Sequence, residues 1–201
     1  MLYRTIVADP PWPYRSTDGG MLRSSAAHRP NSGGGGRAMG VGVVRRYLTA
    51  SMADLEALPV AGLAEADAHL YLWTTNAFMV EAHKLARAWG FEQKTILTWG
   101  KIQRTGAEIR PSMKVGYYFR GATEHVLFCV RGSLPIIGTW PTLFLWPRVA
   151  EHSAKPEHFY DLVEQASPAP RLELFARRHR LGWDVWGDES ANTATLTACQ
   201  T

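Results

Sequence analysis

Apolar positions along this chain follow two periods. Near-continuous apolar runs occupy residues 4–8, 68–75, 91–99, 124–130, 172–176 and 183–186, with a shorter run at Leu143-Phe144-Leu145-Trp146. Runs of this length, rich in aromatic and β-branched residues, predict buried strands. Between them the spacing turns helical. Phe78, Ala82, Leu85, Ala86 and Trp89 form one stripe, with Glu81, Lys84 and Arg87 off it. Asn76 is placed to cap that helix and Gly90 to end it. Ser51 is placed to cap a short helix ending near Leu58-Pro59, and Pro156 suits the first turn of a helix from Glu157 to about Ala166. Strands alternating with helices predict an α/β fold on a parallel sheet. No internal repeat, heptad pattern or interdomain linker breaks the order.

The 201 residues fit one domain with long loops. We assign the domain to residues 1–189 and a flexible polar tail to residues 190–201. Residues 13–46 are poor in apolar side chains and carry the run Gly33-Gly34-Gly35-Gly36. That run matches neither the dinucleotide fingerprint nor the phosphate-binding loop, so it reads as a mobile lid segment. The net charge of +4 is modest, but its placement is uneven. Arg15, Arg23, Arg29, Arg37, Arg45 and Arg46 face only Asp18 in the first loop. Lys101, Arg104, Arg110, Lys114 and Arg120 face only Glu108 in a second basic loop at residues 101–121. Two basic loops predict phosphate contacts with nucleic acid, although surface arginine also serves solubility. No run is long enough to span a membrane, and the N-terminus lacks a signal-peptide pattern. Cys129 and Cys199 lie far apart, which predicts free thiols and a reducing, cytoplasmic setting.

The chemistry concentrates at Asp9-Pro10-Pro11-Trp12, directly after the first strand. Ligand sites of open α/β sheets collect at C-terminal strand edges. An ionised Asp9 offers only acceptor oxygens. Pro10 and Pro11 lack N–H groups and hold their carbonyls within a narrow range. Trp12 carries a face broad enough for a flat ring. Two acceptors beside such a platform suit an exocyclic amino group on a nucleobase. That nitrogen is a weak nucleophile, and holding both its N–H bonds would favour the geometry of attack. The same four residues would equally make a rigid turn with a core tryptophan.

The tetrapeptide resembles the DPPW signature of the MT-A70 adenine-N6 methyltransferases. Further segments resemble that family in the same order: Tyr47-Leu48-Thr49 into Leu58-Pro59, Leu72-Trp73-Thr74-Thr75-Asn76, Gly90-Phe91-Glu92 to Trp99-Gly100-Lys101, and Glu124-His125 before Arg131-Gly132. The last block runs from Ser153-Ala154-Lys155-Pro156 through Glu173-Leu174-Phe175-Ala176-Arg177 to Trp186-Gly187. The resemblance implies a Rossmann-like class I methyltransferase fold. Its sheet would be mostly parallel, with helices on both faces and the catalytic motif ahead of the cofactor-binding strand. It implies S-adenosyl-L-methionine as methyl donor and N6 of adenine as acceptor. Asp9 and the Pro10 carbonyl would hold the amine, with Pro11 stiffening the turn. Trp12 or Tyr47 would stack on or border the base, and Arg45, Arg46, Lys101 and Arg104 would bind the substrate backbone.

A site for that cofactor needs a cation for its carboxylate and acceptors for its ammonium and ribose hydroxyls. Lys155 could supply the cation and Ser153 a hydrogen bond, though a lysine before a helix is often a surface residue. Asp9 would also face the cofactor. Glu173, flanked by Leu172 and Leu174, needs a partner, which could equally be a salt bridge to Arg177 or Arg178. Strand alternation predicts Glu173 and Phe175 on one face. Arg177 resembles the family's cofactor-contacting arginine. Arg180 falls where some members carry asparagine, and Asp188 where the family often does; Glu189 follows. Both carboxylates could accept from ribose hydroxyls or belong to a solvated tail. No metal pattern surrounds His152 and His158, and no G-x-S-x-G elbow is present. The expected substrate is DNA rather than RNA, acted on by a monomer or homodimer of bacterial or phage type. The rivals are a non-catalytic nucleic-acid-binding subunit, disfavoured by the intact DPPW, and a cytosine-N4 methyltransferase.

Overall fold

A computed structural model of the chain describes residues 1–13, 50–105, 107–113, 118–149, 154–187 and 192–194. Its strands are β1 (Tyr3–Ala8), β2 (Ala64–Thr74), β3 (Glu92–Thr105), β4 (Glu108–Pro111), β5 (Thr123–Arg131), β6 (Leu143–Pro147), β7 (Arg171–Leu174) and β8 (Trp183–Trp186). Its helices are α1 (Met52–Glu56), α2 (Met79–Ala88) and α3 (Glu157–Ala166).

All eight strands join one sheet in the order β4-β3-β5-β2-β1-β7-β8, with β6 on the other side of β3. β1, β2, β7 and β8 are mutually parallel, and β5 opposes β2. β3 opposes β5 and so runs with the main set, as does β6; only β4 and β5 run against it. The sheet is therefore mostly parallel, as the strand–helix alternation predicts.

Strand alternation divides the core. Ile6, Ala8, Leu70, Leu72, Leu127, Cys129, Leu172 and Leu174 pack on one face against Leu55 of α1 and Ala82, Leu85 and Ala86 of α2. Val7, Tyr71, Trp73, Val126 and Phe128 pack on the other against Phe159, Tyr160, Leu162 and Val163 of α3. Helices thus cover both faces, which explains why the Ile6-Val7-Ala8 end of β1 is apolar on both of its sides. Burial at Cys129 pushes its thiol up to about 12, which keeps it protonated and unreactive.

Several local expectations change. Ser51 does cap α1, with Asp54 returning the bond to complete a capping box. Asn76 caps nothing: it opens a 3-10 turn over Asn76–Phe78, and its Oδ1 lies 2.6 Å from His125 Nε2. The basic segment 101–121 is not a plain loop, since β3 continues to Thr105 and turns back as β4. Trp99 is level with Glu124 on β5, and β3 then runs six residues further, roughly 20 Å past that level. The mixed polar composition of Lys101–Thr105 hid this overhang, because it is not buried between helices. β7 stops at Leu174, because Phe175 turns over at φ 63 and packs against Trp186 on the α1–α2 face. Glu173 and Phe175 therefore part. The tail expected from residue 190 is in part docked: Thr193 and Ala194 donate backbone bonds to Val185 and close the β8 edge. Tail residues 190–191 and 195–201, and all but the first residue of the lid expected over residues 13–46, lie outside the described residues.

The loops after β7 and β8 are locked together. Ala176 N donates to Trp186 O at 3.1 Å, and a Cβ on Gly187 would overlap the Ala176 nitrogen and carbonyl oxygen. Gly187→Ala should lower unfolding free energy by about 1–3 kcal/mol, as overpacking does. Urea titration checks this; an unchanged midpoint would show that the two loops separate freely.

Candidate active site

β1 and β7 lie side by side in parallel, yet the chain leaves them in opposite directions, toward β2 and toward β8. The crevice above such a divergence is where α/β sheets hold ligands. Asp9 stands there, one residue past β1 and on the α3 face, since Val7 faces α3 and side chains alternate. Antiparallel β5 begins at the same edge, so Glu124 points to the same face from the far side of β2. Lys155, just ahead of α3, reaches between them.

Its ammonium lies 2.9 Å from Asp9 Oδ2 and 3.1 Å from Glu124 Oε2. The other oxygen of Glu124 is taken by Lys101 from β3. Charges alternate along this chain: Lys101, Glu124, Lys155, Asp9. Both lysines stand on indole faces, Lys101 at 4.6 Å from the Trp99 centroid and Lys155 at 4.7 Å from that of Trp73. Trp73 meets Trp99 edge to face at 6.1 Å and Phe159 at 4.7 Å, so the floor is continuous aromatic packing.

Burial sets the electrostatics. The Lys155 side chain is 10% exposed and Asp9 is 27% exposed. Desolvation works against the Lys155 charge, but Asp9 and Glu124 outweigh it and hold the ammonium above its usual range. Burial likewise opposes ionisation of Glu124, and Lys155 with Lys101 holds the carboxyl below its usual range. Glu173 differs. Desolvation raises it, and its partner is the Tyr160 hydroxyl, which donates at 2.6 Å. The expected salt bridge from Arg177 or Arg178 is replaced by this neutral donor. Arg178 instead pairs with Glu157 and lies over the Tyr160 ring at 5.5 Å.

Other expected site residues fall differently. Trp12 is a core residue: its indole donates to the Trp73 carbonyl at 3.1 Å, and its ring stacks on Phe78 at 5.5 Å. At 8% exposure it is not an open platform for a base. Pro10 is buried, Pro11 is half-buried, and the Pro10 carbonyl already accepts the Trp12 N–H at 2.9 Å, which leaves one lone pair. Lys101 is buried in β3 against Glu124 rather than offered to phosphate, whereas Arg104 is exposed on the overhanging hairpin. Arg180 does not reach toward the crevice. Its guanidinium engages Glu157 at 2.8 Å, Asp161 at 2.6 Å and Glu164 at 2.6 Å. These carboxylates recur at i, i+4 and i+7 on the polar flank of α3, so Arg180 clasps the loop before β8 to that helix. Arg177 is exposed in the same loop. Arg45, Arg46, Tyr47, Ser153, Asp188 and Glu189 lie outside the described residues.

Sequence reasoning missed the central part of Glu124. It is a carboxylate at the mouth of an apolar strand, the same signal that singled out Glu173. Its pairing with Lys101 and Lys155 spans 23 and 31 residues, which no local spacing rule reaches.

The MT-A70 family model matches residues 3–189. The chain belongs to the MT-A70 family. It is an adenine-N6 methyltransferase with the class I fold of that family, and the DPPW segment stands at the diverging crevice. The chain is 31% identical to the Type II methyltransferase M.MunI of a Mycoplasma species, over 93% of this chain and 77% of that protein. It is 31% identical to the N6-methyladenosine RNA methyltransferase MTA1 of Cryphonectria parasitica, over 94% of this chain and 52% of the relative. It is 28% identical to the human N(6)-adenosine-methyltransferase catalytic subunit METTL3, over 61% of this chain and 22% of that protein. The chain thus spans about half of the fungal relative and about a fifth of the human one. Among the described residues no helix is long and apolar enough to cross a membrane.

The depressed Glu124 carboxyl makes a pH prediction. A carboxyl held below its unfolded value stabilises the fold above that value, and the contribution disappears as pH falls through the folded-state value. Glu124→Gln should therefore cost roughly 3 kcal/mol near neutrality, the scale of a broken buried pair, and progressively less in acid. Urea unfolding from pH 7 to pH 3 checks this; a constant difference would contradict the paired assignment.

Proposed function

We propose that this MT-A70 enzyme transfers the methyl group of S-adenosylmethionine to N6 of adenine in DNA. The observation that carries the reading is the Asp9–Lys155–Glu124 cluster at the crevice. A carboxylate that must receive an amine, and an ammonium suited to a cofactor carboxylate, stand within one hydrogen bond of each other. The residues present fit the cofactor. Lys155 would take its carboxylate and Asp9 its ammonium or the target amine. Trp73 Nε1 is a buried donor with no partner among the described residues. When bound, the cofactor supplies a methyl group on a positively charged sulfur.

The protein's part is orientation. Asp9 and the free lone pair of the Pro10 carbonyl would accept the two N–H bonds of adenine N6. The amine lone pair would then face away from both acceptors. In a duplex this needs the base to leave the stack, at a cost of a few kcal/mol. With Trp12 in the core, the stacking partner falls to Tyr47 or another ring. Arg104, Arg45 and Arg46 would add phosphate contacts, so binding should weaken as salt rises.

DNA is favoured because the match to the Type II methyltransferase runs along most of both chains, 93% of this one and 77% of that protein. RNA is the second reading, favoured by the match to the fungal RNA methyltransferase over 94% of this chain. Incubation with labelled cofactor and matched DNA and RNA oligomers, followed by nucleoside mass spectrometry, decides between them. N6-methyladenine should form in the DNA arm; product confined to the RNA arm would reverse the assignment, and modified cytosine would refute it. Asp9→Asn should lower turnover at least about a hundredfold while the fold persists, the scale of losing one preorganised polar group. Near-normal turnover would remove Asp9 from the reaction.

A further inference from the structure

The crevice holds two ammonium groups, not one, and the reaction proposed above uses only Lys155. Lys101 is 5% exposed, lies in β3 where the strand begins its overhang, and holds the Glu124 oxygen that Lys155 does not. We infer that Lys101 is a positioning residue. It fixes Glu124 as a permanent counter-ion for Lys155, so that Asp9 is free to leave Lys155 and take the ligand's amine. This rests on the methyl-transfer reading and adds a part for two residues outside the motif.

Asp9 and Glu124 hold the same ammonium at 2.9 and 3.1 Å. A buried ammonium stripped of its counter-ions is costly, so until a ligand carboxylate reaches Lys155, Asp9 as its sole partner could not turn to an amine without stranding it. A second carboxylate removes the conflict, provided it stays ionised. Glu124 is itself largely buried, and burial opposes its charge. The charged groups around it are Lys101 from β3, Lys155 ahead of α3 and, across Lys155, Asp9 beyond β1; His125, next along β5, turns to the opposite face and lies against Asn76. Of these, Lys101 and Lys155 are the buried cations bound directly to its two oxygens. If Lys155 also turns toward a ligand carboxylate, Lys101 remains as the group that keeps Glu124 charged. The indole of Trp99 fixes Lys101 from below at 4.6 Å, and Trp99 is itself anchored by donation to the Trp146 carbonyl at 3.0 Å. Lys101 therefore points inward for a built reason, and its charge is not presented to phosphate.

The test compares Lys101→Met, which keeps length without charge, and Lys101→Arg, which keeps charge. Carbon-13 carboxyl NMR follows the Glu124 titration in the ligand-free protein. Methyl transfer to the better oligonucleotide gives kcat, KM and the salt dependence of binding. Lys101→Met should move the Glu124 titration upward in pH and lower kcat by roughly ten- to a hundredfold, the cost of a displaced group. It should move the acid limb of kcat upward with it, leaving nucleic-acid KM and salt dependence as in wild type. Lys101→Arg should restore the titration and most of kcat. An unmoved Glu124 titration in Lys101→Met overturns the inference. So does a lower salt slope with unchanged kcat, which would make Lys101 a phosphate contact. Should Lys101→Met fail to fold, Lys101→Arg decides: low kcat beside a wild-type titration also overturns it. A wild type inactive on both nucleic acids, with the titration still coupled to Lys101, would sink the methyl-transfer reading and leave the ion-pair coupling standing.

Discussion

A buried ammonium needs anions, and most of this candidate site follows from satisfying Lys155. Its two carboxylates come from opposite sides of β2, one past the end of β1 and one at the start of antiparallel β5. That convergence is possible only because one strand runs backward beside a parallel set. An all-parallel sheet would bring a strand's C-terminal residue to that position, where β5 brings its N-terminal Glu124. The tryptophan floor completes the arrangement. Trp73 and Trp99 give the two lysines an electron-rich surface that shields them from water without competing for their carboxylates.

The rest of the domain holds these groups still. α3 buries Phe159, Tyr160, Leu162 and Val163 on the sheet, and its opposite flank is clasped by Arg180. The N-terminal end of that helix carries Lys155, so the clasp and the core together set where the ammonium stands. Tyr160 extends the same packing to Glu173, giving a buried carboxyl a donor rather than a cation. Two acids on the same face of the sheet, with β2 and β1 between their strands, thus sit in different electrostatic states. Glu124 is held charged by lysines, while Glu173 is pushed toward neutrality by burial. Such a split separates a group that anchors charge from one that binds by hydrogen bonding.

How much of this was legible in the chain depends on the range of the interaction. The buried strands and α3 were legible, because apolar runs and helical stripes are local. The position of Asp9 at a strand end followed from the run Thr5–Ala8 and a double proline. The β3–β4 overhang was not legible, since Lys101–Thr105 pairs with neighbours but lacks a continuous apolar face. Trp12 offered two readings, and only packing against Phe78 resolves them toward the core. Arg180 was misplaced because its partners, Glu157, Asp161 and Glu164, are read as an exposed helix flank until the loop folds back on them. Lys101 looked like a phosphate ligand from its basic neighbours. Its real partner, Glu124, is reached only after the chain has turned through β4 and come back as β5.

Ligand-free Lys155 is shared by two carboxylates, and Asp9 is to give up its share when an amine arrives. The most direct measurement is a crystal structure of the protein with an unreactive cofactor analogue and an adenine-containing oligonucleotide. The Asp9 carboxylate should lie within hydrogen-bond distance of adenine N6 or the analogue's ammonium, with Lys155 still bound to Glu124. An adenine amine seated away from the end of β1, or a Lys155 that abandons Glu124 and keeps Asp9, would contradict it.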